Sequence, residues 1–389
     1  MKKIYLDYSA TTPVKKEVLA EMLPFFTEEF GNPSSLYTLG QTSKSALIKA
    51  RENVARLIGA DSGEIFFTSS GTEADNWAIL GVAEASKDKG RHIITSQIEH
   101  HANIRTCEYL ESKGYEVTYL PVGKNGIVDP KALAEAIRDD TVLISVMTIN
   151  NEIGTVQPIK ELSAIAKSRN IIFHTDAVQA LGNMPINVKE LGIDLMSISA
   201  HKIYGPKGIG ALFIKSGTSI SNFMHGGAQE NKRRAGTENV TGIVGFGKAA
   251  ELAHSNIDGH IKRTKELRDY FIDQVTTRIP DVILNGDRKL RHPGNANFTF
   301  KYIEGESILV LLDINGISAS TGSACSSGSN KPSHVITALN IPPEDMHSTI
   351  RFTIGDFTSK DDLDYVTGEL CAIVEKLRST SPISKEKGW

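Results

Sequence analysis

Ile171-Ile-Phe-His-Thr-Asp176 is a short run of β-branched and aromatic residues that stops on a carboxylate, and its form recurs along the chain. Such runs, bounded by polar stretches, read as strands. Working outward, they lie at 64–68, 92–96, 117–120, 142–147, 195–199 and 211–214. Helical spacing falls around them, at Leu162, Ile165 and Ala166 and, earlier, at Leu47, Ala50, Val54, Leu57 and Ile58. The rhythm predicts an α/β fold, a mostly parallel seven-stranded sheet flanked by helices, over residues 13–255. After residue 255 the pattern changes to a charged amphipathic stretch (261–278), a β-like Asn297-Phe-Thr-Phe300 and a last helix marked by Leu363, Val366, Leu370, Val374 and Leu377. We read this as a smaller α+β domain, residues 256–389, to which residues 1–12 return.

With 389 residues the chain is long enough for two cores, because single cores rarely grow past about 250 to 300 residues. Composition is ordinary for a soluble protein, 40% hydrophobic and 23% charged. A formal net charge of -3 gives no global attraction to nucleic acid or to an anionic membrane. The start of the chain lacks a signal core and no long apolar run occurs, so a cytoplasmic protein is expected. Three cysteines, Cys107, Cys325 and Cys371, are widely spaced and form no C-x-x-C, which argues against a disulfide framework or a zinc site. Cys107 and Cys371 sit in helix-like patterns and read as packing residues.

Chemistry concentrates where strands end. Asp176 closes one strand, and Ser199-Ala-His-Lys202 closes another, so in a parallel sheet both emerge at the carboxyl edge, where ligands bind in such folds. An amine able to form an imine, near a carboxylate able to hold a protonated pyridine nitrogen, is what pyridoxal 5'-phosphate (PLP) requires. Gln179 stands within reach of the cofactor's phenolic oxygen. Gly71-Thr72-Glu73 follows the strand 64–68 as a helix start, which offers free N–H groups to a phosphate, although Thr72 could instead simply cap that helix. Glu99-His100-His101 ends a further strand; His100 is suited to stacking on the ring and moving protons, and His101 to a structural role. Arg351, in Ser348-Thr-Ile-Arg-Phe-Thr353, presents a fork for a substrate carboxylate, with Ile350 and Phe352 pointing the other way. Thr237, in a polar glycine-rich segment, is a second phosphate candidate, across a subunit boundary. Cys325 lies in the Gly/Ser-rich stretch 318–329, within an expected loop over about 318–334, and reads as a thiol on a flexible arm.

Tyr5-Leu-Asp-Tyr-Ser-Ala-Thr-Thr-Pro13, Phe30-Gly-Asn-Pro-Ser-Ser35, Asn150-Asn-Glu-Ile-Gly154, Asp176-Ala-Val-Gln179, Ser199-Ala-His-Lys202 and Gly322-Ser-Ala-Cys325 together resemble the PLP-dependent cysteine desulfurases of the NifS/IscS-like kind. These form the long-loop group within the class-V aminotransferase superfamily. The resemblance spans essentially the whole chain and implies the PLP-dependent transferase fold of type I. It implies that Lys202 holds PLP, that Asp176 pairs with the pyridine nitrogen and that Gln179 contacts the phenolic oxygen. Gly71, Thr72, Ser199, Ala200, His201 and the other subunit's Thr237 would then surround the cofactor, with Asn151 and Arg351 on the substrate carboxylate. Two departures stand out. Tyr37 replaces a common His, and Asn231-Lys-Arg-Arg-Ala235 replaces a more usual Arg-Gly-x-Arg-Ser.

The activity so implied is conversion of L-cysteine to L-alanine by a homodimer, with sulfur passed to Cys325 as a persulfide and on to an iron-sulfur scaffold protein or other acceptor. His100 serves as a proton donor. A selenocysteine lyase or a class-V aminotransferase is the alternative within the same cofactor class, the latter with no use for Cys325. A sulfur carrier or scaffold is the alternative outside it, with no use for Lys202.

Overall fold

The computed structural model describes residues 3–322 and 332–381. In chain order its strands are β1 Ile4–Tyr5, β2 Ile65–Thr68, β3 His92–Ser96, β4 Glu116–Leu120, β5 Thr141–Ser145, β6 Ile172–Asp176, β7 Leu195–Ser199, β8 Gly210–Ile214, β9 Val282–Leu284, β10 Asn295–Phe300, β11 Ile317–Ser318 and β12 Thr349–Thr353. Seven of them, in the order β2-β8-β7-β6-β5-β3-β4, make one sheet. Its central strands β3, β5 and β7 are buried throughout and β6 at all but its first residue, which is why they read as near-continuous apolar runs rather than alternating ones.

Every strand expected between residues 64 and 214 is present, with ends moved by at most two residues. β8 departs from its neighbours and runs antiparallel to both β7 and β2. The link from β7 to β8 explains this: it contains one short 3-10 turn, Ala200–Lys202, and no crossover helix, and a parallel return needs a crossover of a dozen or more residues. The order changes direction around β3, whose neighbours β4 and β5 follow it in sequence on opposite sides. Crevices at the carboxyl edge beside such a switch point are where α/β sheets take ligands.

Two apolar cores cover the faces of this sheet. One holds the helices Thr38–Ile58, Ile159–Ser168 and Val240–Ser255, and the other the helix Gly71–Ala85 with Cys107. A third core is built from Ile4 and Leu6 together with β10, β12 and the helices Ile257–Arg278 and Lys360–Thr380. The amino terminus does return to this later part of the chain, since β1 pairs parallel with β11. Leu363, Val366, Leu370 and Val374 supply the buried stripe of the last helix. Among the described residues no helix is long and apolar enough to cross a membrane.

Candidate functional site

A cavity of about 290 Å³ opens at the carboxyl edge of the sheet. Its walls come from the ends of β6 and β7, from the start of the helix Gly71–Ala85, from the turns after β3 and β5, and from β12 and the amino-terminal segment. Gly71, Thr72, His100, Asn151, Asp176, Gln179, Ser199, His201, Lys202 and Arg351 all line it. Residues spread over 280 positions (351 minus 71) thus meet in one place, most of them from strand ends, a helix start and the turns that follow strands, and Arg351 from the middle of β12.

Among the described residues, Lys202 is the single lysine lining this cavity. Its Nζ donates to the carbonyls of Ser9 and Ala10 at 2.5 and 2.7 Å. Gln179 donates from Nε2 to the same Ser9 carbonyl at 2.9 Å, so one backbone oxygen orients both side chains. Asp176 is 5% exposed, and its Oδ1 accepts from the Val178 N–H at 2.9 Å. Burial raises its carboxyl to about 6, against the opposing pull of that N–H and of the Lys202 charge. His201 places Nδ1 3.1 Å from the Thr11 hydroxyl, and burial, then the neighbouring Lys202 and Lys207, lowers its ring to about 4.

His100 caps the helix His101–Glu111, its Nδ1 accepting from the Ala102 N–H at 3.1 Å. Burial, then Lys202 and the two histidines His101 and His334, lowers its pKa to about 4. The ring is therefore neutral near pH 7, and because Nδ1 accepts, the proton resides on Nε2. His101 turns away to face His334, the ring centroids 4.9 Å apart, in keeping with a structural role.

At the opposite end, the helix Gly71–Ala85 is capped by Ser70, whose hydroxyl accepts from the Glu73 N–H at 3.1 Å. Thr72 is therefore not the cap, and its exposed side chain lines the cavity. A Cβ on Gly71 would lie 2.7 Å from Cγ2 of Val178, so the residue must be small for the helix start to sit this close to the turn after β6. First-turn N–H groups and the positive end of the helix dipole make this end a site for an anion. Glu73 is held from behind by Arg234, which donates to it at 2.8 and 3.1 Å. The segment that departs from the family pattern thus braces this helix start, and it does so from a strained backbone: Glu230, Asn231 and Lys232 have φ of 45°, 55° and 67°. Tyr37 is exposed and precedes the helix Thr38–Ile58.

The third side carries Arg351. Its Nη2 donates to Asp7 Oδ1 at 2.7 Å and its Nη1 to the Asn151 carbonyl at 2.8 Å, while Nε is buried without a hydrogen-bond partner among the described residues. Ile350 and Phe352 point into the third core, as alternation along β12 requires. The two adjacent asparagines divide their tasks. Asn150 is buried and shapes the turn, accepting from the N–H groups of Glu152 and Ile153, both at 2.9 Å, whereas Asn151 faces the cavity.

Two residues singled out from the sequence, Ala200 and Thr237, are not brought to this cavity. Ala200 faces the core, its carbonyl taking the N–H groups of Ile203 and Gly205, because the 3-10 turn points only its neighbours outward. Thr237 lines a separate cavity of about 200 Å³ with Arg234 and Glu230. Cys325 lies outside the described residues. Cys107 is fully buried, its thiol raised to about 12 by burial and by nearby carboxylates, and Cys371 packs against the third core. Conversely, the sequence reading missed Asp7, the Ser9 and Ala10 carbonyls, and Asp75, which lines the cavity four residues past Gly71 on the same helix face. The (i, i+4) spacing was the available signal for Asp75.

One end of the cavity is built for an anion and the other carries a carboxyl, with an amine between them. This is the set of groups that a planar phosphorylated pyridine aldehyde needs. Comparison with known proteins agrees. The profile of the family "Aminotransferase class-V" matches residues 4–366. Cysteine desulfurase IscS of Dictyoglomus turgidum is 58% identical over 99% of this chain and 98% of its own, and that of Methanosarcina thermophila is 56% identical over 99% and 95%. Among solved structures, a NifS-like protein superposes with a TM-score of 0.91 at 35% identity, covering 97% of this chain and all of that one. A structure described as SspA in complex with cysteine superposes at 0.82 and 35% identity, covering 92% and 100%. With a family profile spanning nearly its full length and relatives above half identity end to end, the chain belongs to the class-V aminotransferases.

Proposed function

We propose that this protein is a PLP-dependent cysteine desulfurase, which converts L-cysteine to L-alanine and passes the sulfur to Cys325 for iron-sulfur cluster assembly. The observation that carries the reading is the convergence of Lys202, Asp176 and the Gly71 helix start on one cavity of about 290 Å³. Lys202 would hold the cofactor, Asp176 its ring nitrogen, Gln179 its phenolic oxygen, and the N–H groups at Gly71 and Thr72 with Ser199 and His201 its phosphate. When bound, PLP draws electrons away from the Cα of the amino acid joined to it. The protein's residues supply the rest.

Lys202 Nζ takes the proton from Cα, and two carbonyl acceptors already aim it across the cavity. His100, neutral with Nδ1 engaged by the Ala102 N–H, is left with an Nε2–H that can donate a hydrogen bond into the cavity. Arg351 and Asn151 hold the substrate carboxylate and so fix which Cα bond faces Lys202. The Cys325 thiolate then attacks the substrate's sulfur: an S–S bond forms, the Cβ–S bond breaks, and the products are L-alanine and a Cys325 persulfide. Cysteine and one enzyme thiol in, alanine and one persulfide out, balances atoms and electrons without a further reductant.

Two parts of the reading concern organisation. The separate cores support the division into residues 13–255 and residues 1–12 with 256–389. Exposed Leu23, Phe26, Phe30 and Leu36 support a homodimer in which a second copy covers this face and receives Thr237 at its own phosphate site. The persulfide would pass to an iron-sulfur scaffold protein or another sulfur acceptor.

The testing experiment is Cys325→Ala, assayed for alanine and for sulfide from L-cysteine. Cofactor absorbance should be retained and sulfide release should fall about 100-fold or more, as expected for loss of a nucleophile. Full desulfurase activity in this variant would defeat the reading. Arg351→Lys should raise KM for L-cysteine roughly 10- to 100-fold with a smaller change in kcat, because an ammonium cannot reproduce the bidentate fork, worth about 1.5 to 3 kcal/mol. Steady-state kinetics check this.

A further inference from the structure

We propose that Asp75 is a positioning residue whose carboxyl holds a proton beneath the Lys202 cavity, leaving its neighbour Asp176 as the group that carries the negative charge toward the ring nitrogen. The inference rests on the cofactor reading above and deepens it.

Asp75 is 1% exposed, yet it lines the cavity, and its Oδ1 has no hydrogen-bond partner among the described residues. An isolated buried carboxylate is costly and takes a proton unless a cation or donors satisfy it. The groups facing it supply no cation. His174 Nε2 lies 3.7 Å from Oδ1, beyond hydrogen-bond range, and both of its ring nitrogens are already engaged, Nδ1 with Ser145 Oγ at 2.8 Å and Nε2 with Ser197 Oγ at 3.0 Å. Burial lowers that imidazole to about 3, so it is neutral and cannot act as a counter-ion. The other charged neighbours are acidic. Asp176 and Glu99 both push the Asp75 carboxyl further above the usual carboxylate range, with Ser197 opposing.

Asp176 is better served. It accepts the Val178 N–H and feels the Lys202 cation, both of which oppose the effect of burial on its carboxyl. Two carboxyls sharing a dry site cannot both ionise, and the proton goes to the one without support. Glu99 is distinct, since its oxygens take the Ser96 hydroxyl, the Asn103 amide and the Met147 N–H. Burial raises it only to about 7. A neutral Asp75 fills the polar floor of the cavity without adding a second charge under the ring.

Infrared difference spectra of the PLP-loaded enzyme, wild type minus Asp75→Asn at neutral pH, test the assignment. The expected result is loss of one protonated-carboxyl C=O band that moves in heavy water. Loss of a carboxylate band instead overturns it. Glu99→Gln recorded alongside marks the band of the other raised acid. Should Asp75→Asn fail to fold, carbon-13 NMR of wild type labelled at aspartate carboxyls decides: one carboxyl stays protonated on the alkaline side of neutrality, and ionisation of every aspartate by neutral pH overturns the proposal. These signals report the proton whether or not PLP is bound, so a colourless protein, which would refute the cofactor reading, is a distinguishable outcome.

Discussion

Lys202→Ala is expected to lower alanine formation from L-cysteine by at least about 10⁴-fold, or ~5.5 kcal/mol of barrier, because under the proposed function it removes both the covalent anchor and the proton carrier. Among the described residues no other lysine lines the cavity to substitute for it. The Ser9 and Ala10 carbonyls would lose their donor at the same stroke. The variant should still take up PLP through the anion-binding helix start and Asp176. Borohydride should fix the cofactor to the wild-type chain and not to Lys202→Ala, where it should wash out on gel filtration. Turnover within tenfold of wild type would remove Lys202 from the chemistry.

Asp176→Asn is expected to cost about 10³-fold in kcat at saturating PLP, or ~4 kcal/mol. The two side chains have the same shape, and an asparagine Oδ1 can still accept the Val178 N–H that Asp176 now takes at 2.9 Å. What changes is the other terminal group. A carboxylate stabilises a protonated ring nitrogen, whereas an amide N–H donates to an unprotonated one, and the pull on the Cα electrons falls accordingly. Single-turnover rates at saturating cofactor separate this loss from weaker binding. A variant with unchanged kcat and raised demand for PLP would reduce Asp176 to an anchor.

Much of this molecule is legible in its sequence, for identifiable physical reasons. Strands buried on both faces write themselves as apolar runs, and residues that end such runs must emerge at one edge of a parallel sheet, so Asp176 and Lys202 could be paired before any coordinates. The reversed direction of β8 was not legible, because it follows from the missing crossover rather than from the strand's own residues. Nor was the cap, since Ser70 and Thr72 are both good caps by type and only the backbone at Gly71 separates them. Backbone acceptors carry no side-chain signature, which hid Ser9 and Ala10. Asp7 pairs with Arg351 across 344 positions (351 minus 7), a separation at which sequence offers no cue.

That last pairing has a consequence for how the enzyme is born. Asp7 leaves the ribosome 344 residues (351 minus 7) ahead of Arg351, so at about 5 to 20 residues per second the segment around Asp7 waits on the order of tens of seconds for its partner. Until then Lys202 lacks a cavity wall opposite it. Catalytic competence therefore arrives only once the segment carrying Arg351 has been made, and a nascent chain that lacks it has no means of liberating sulfide.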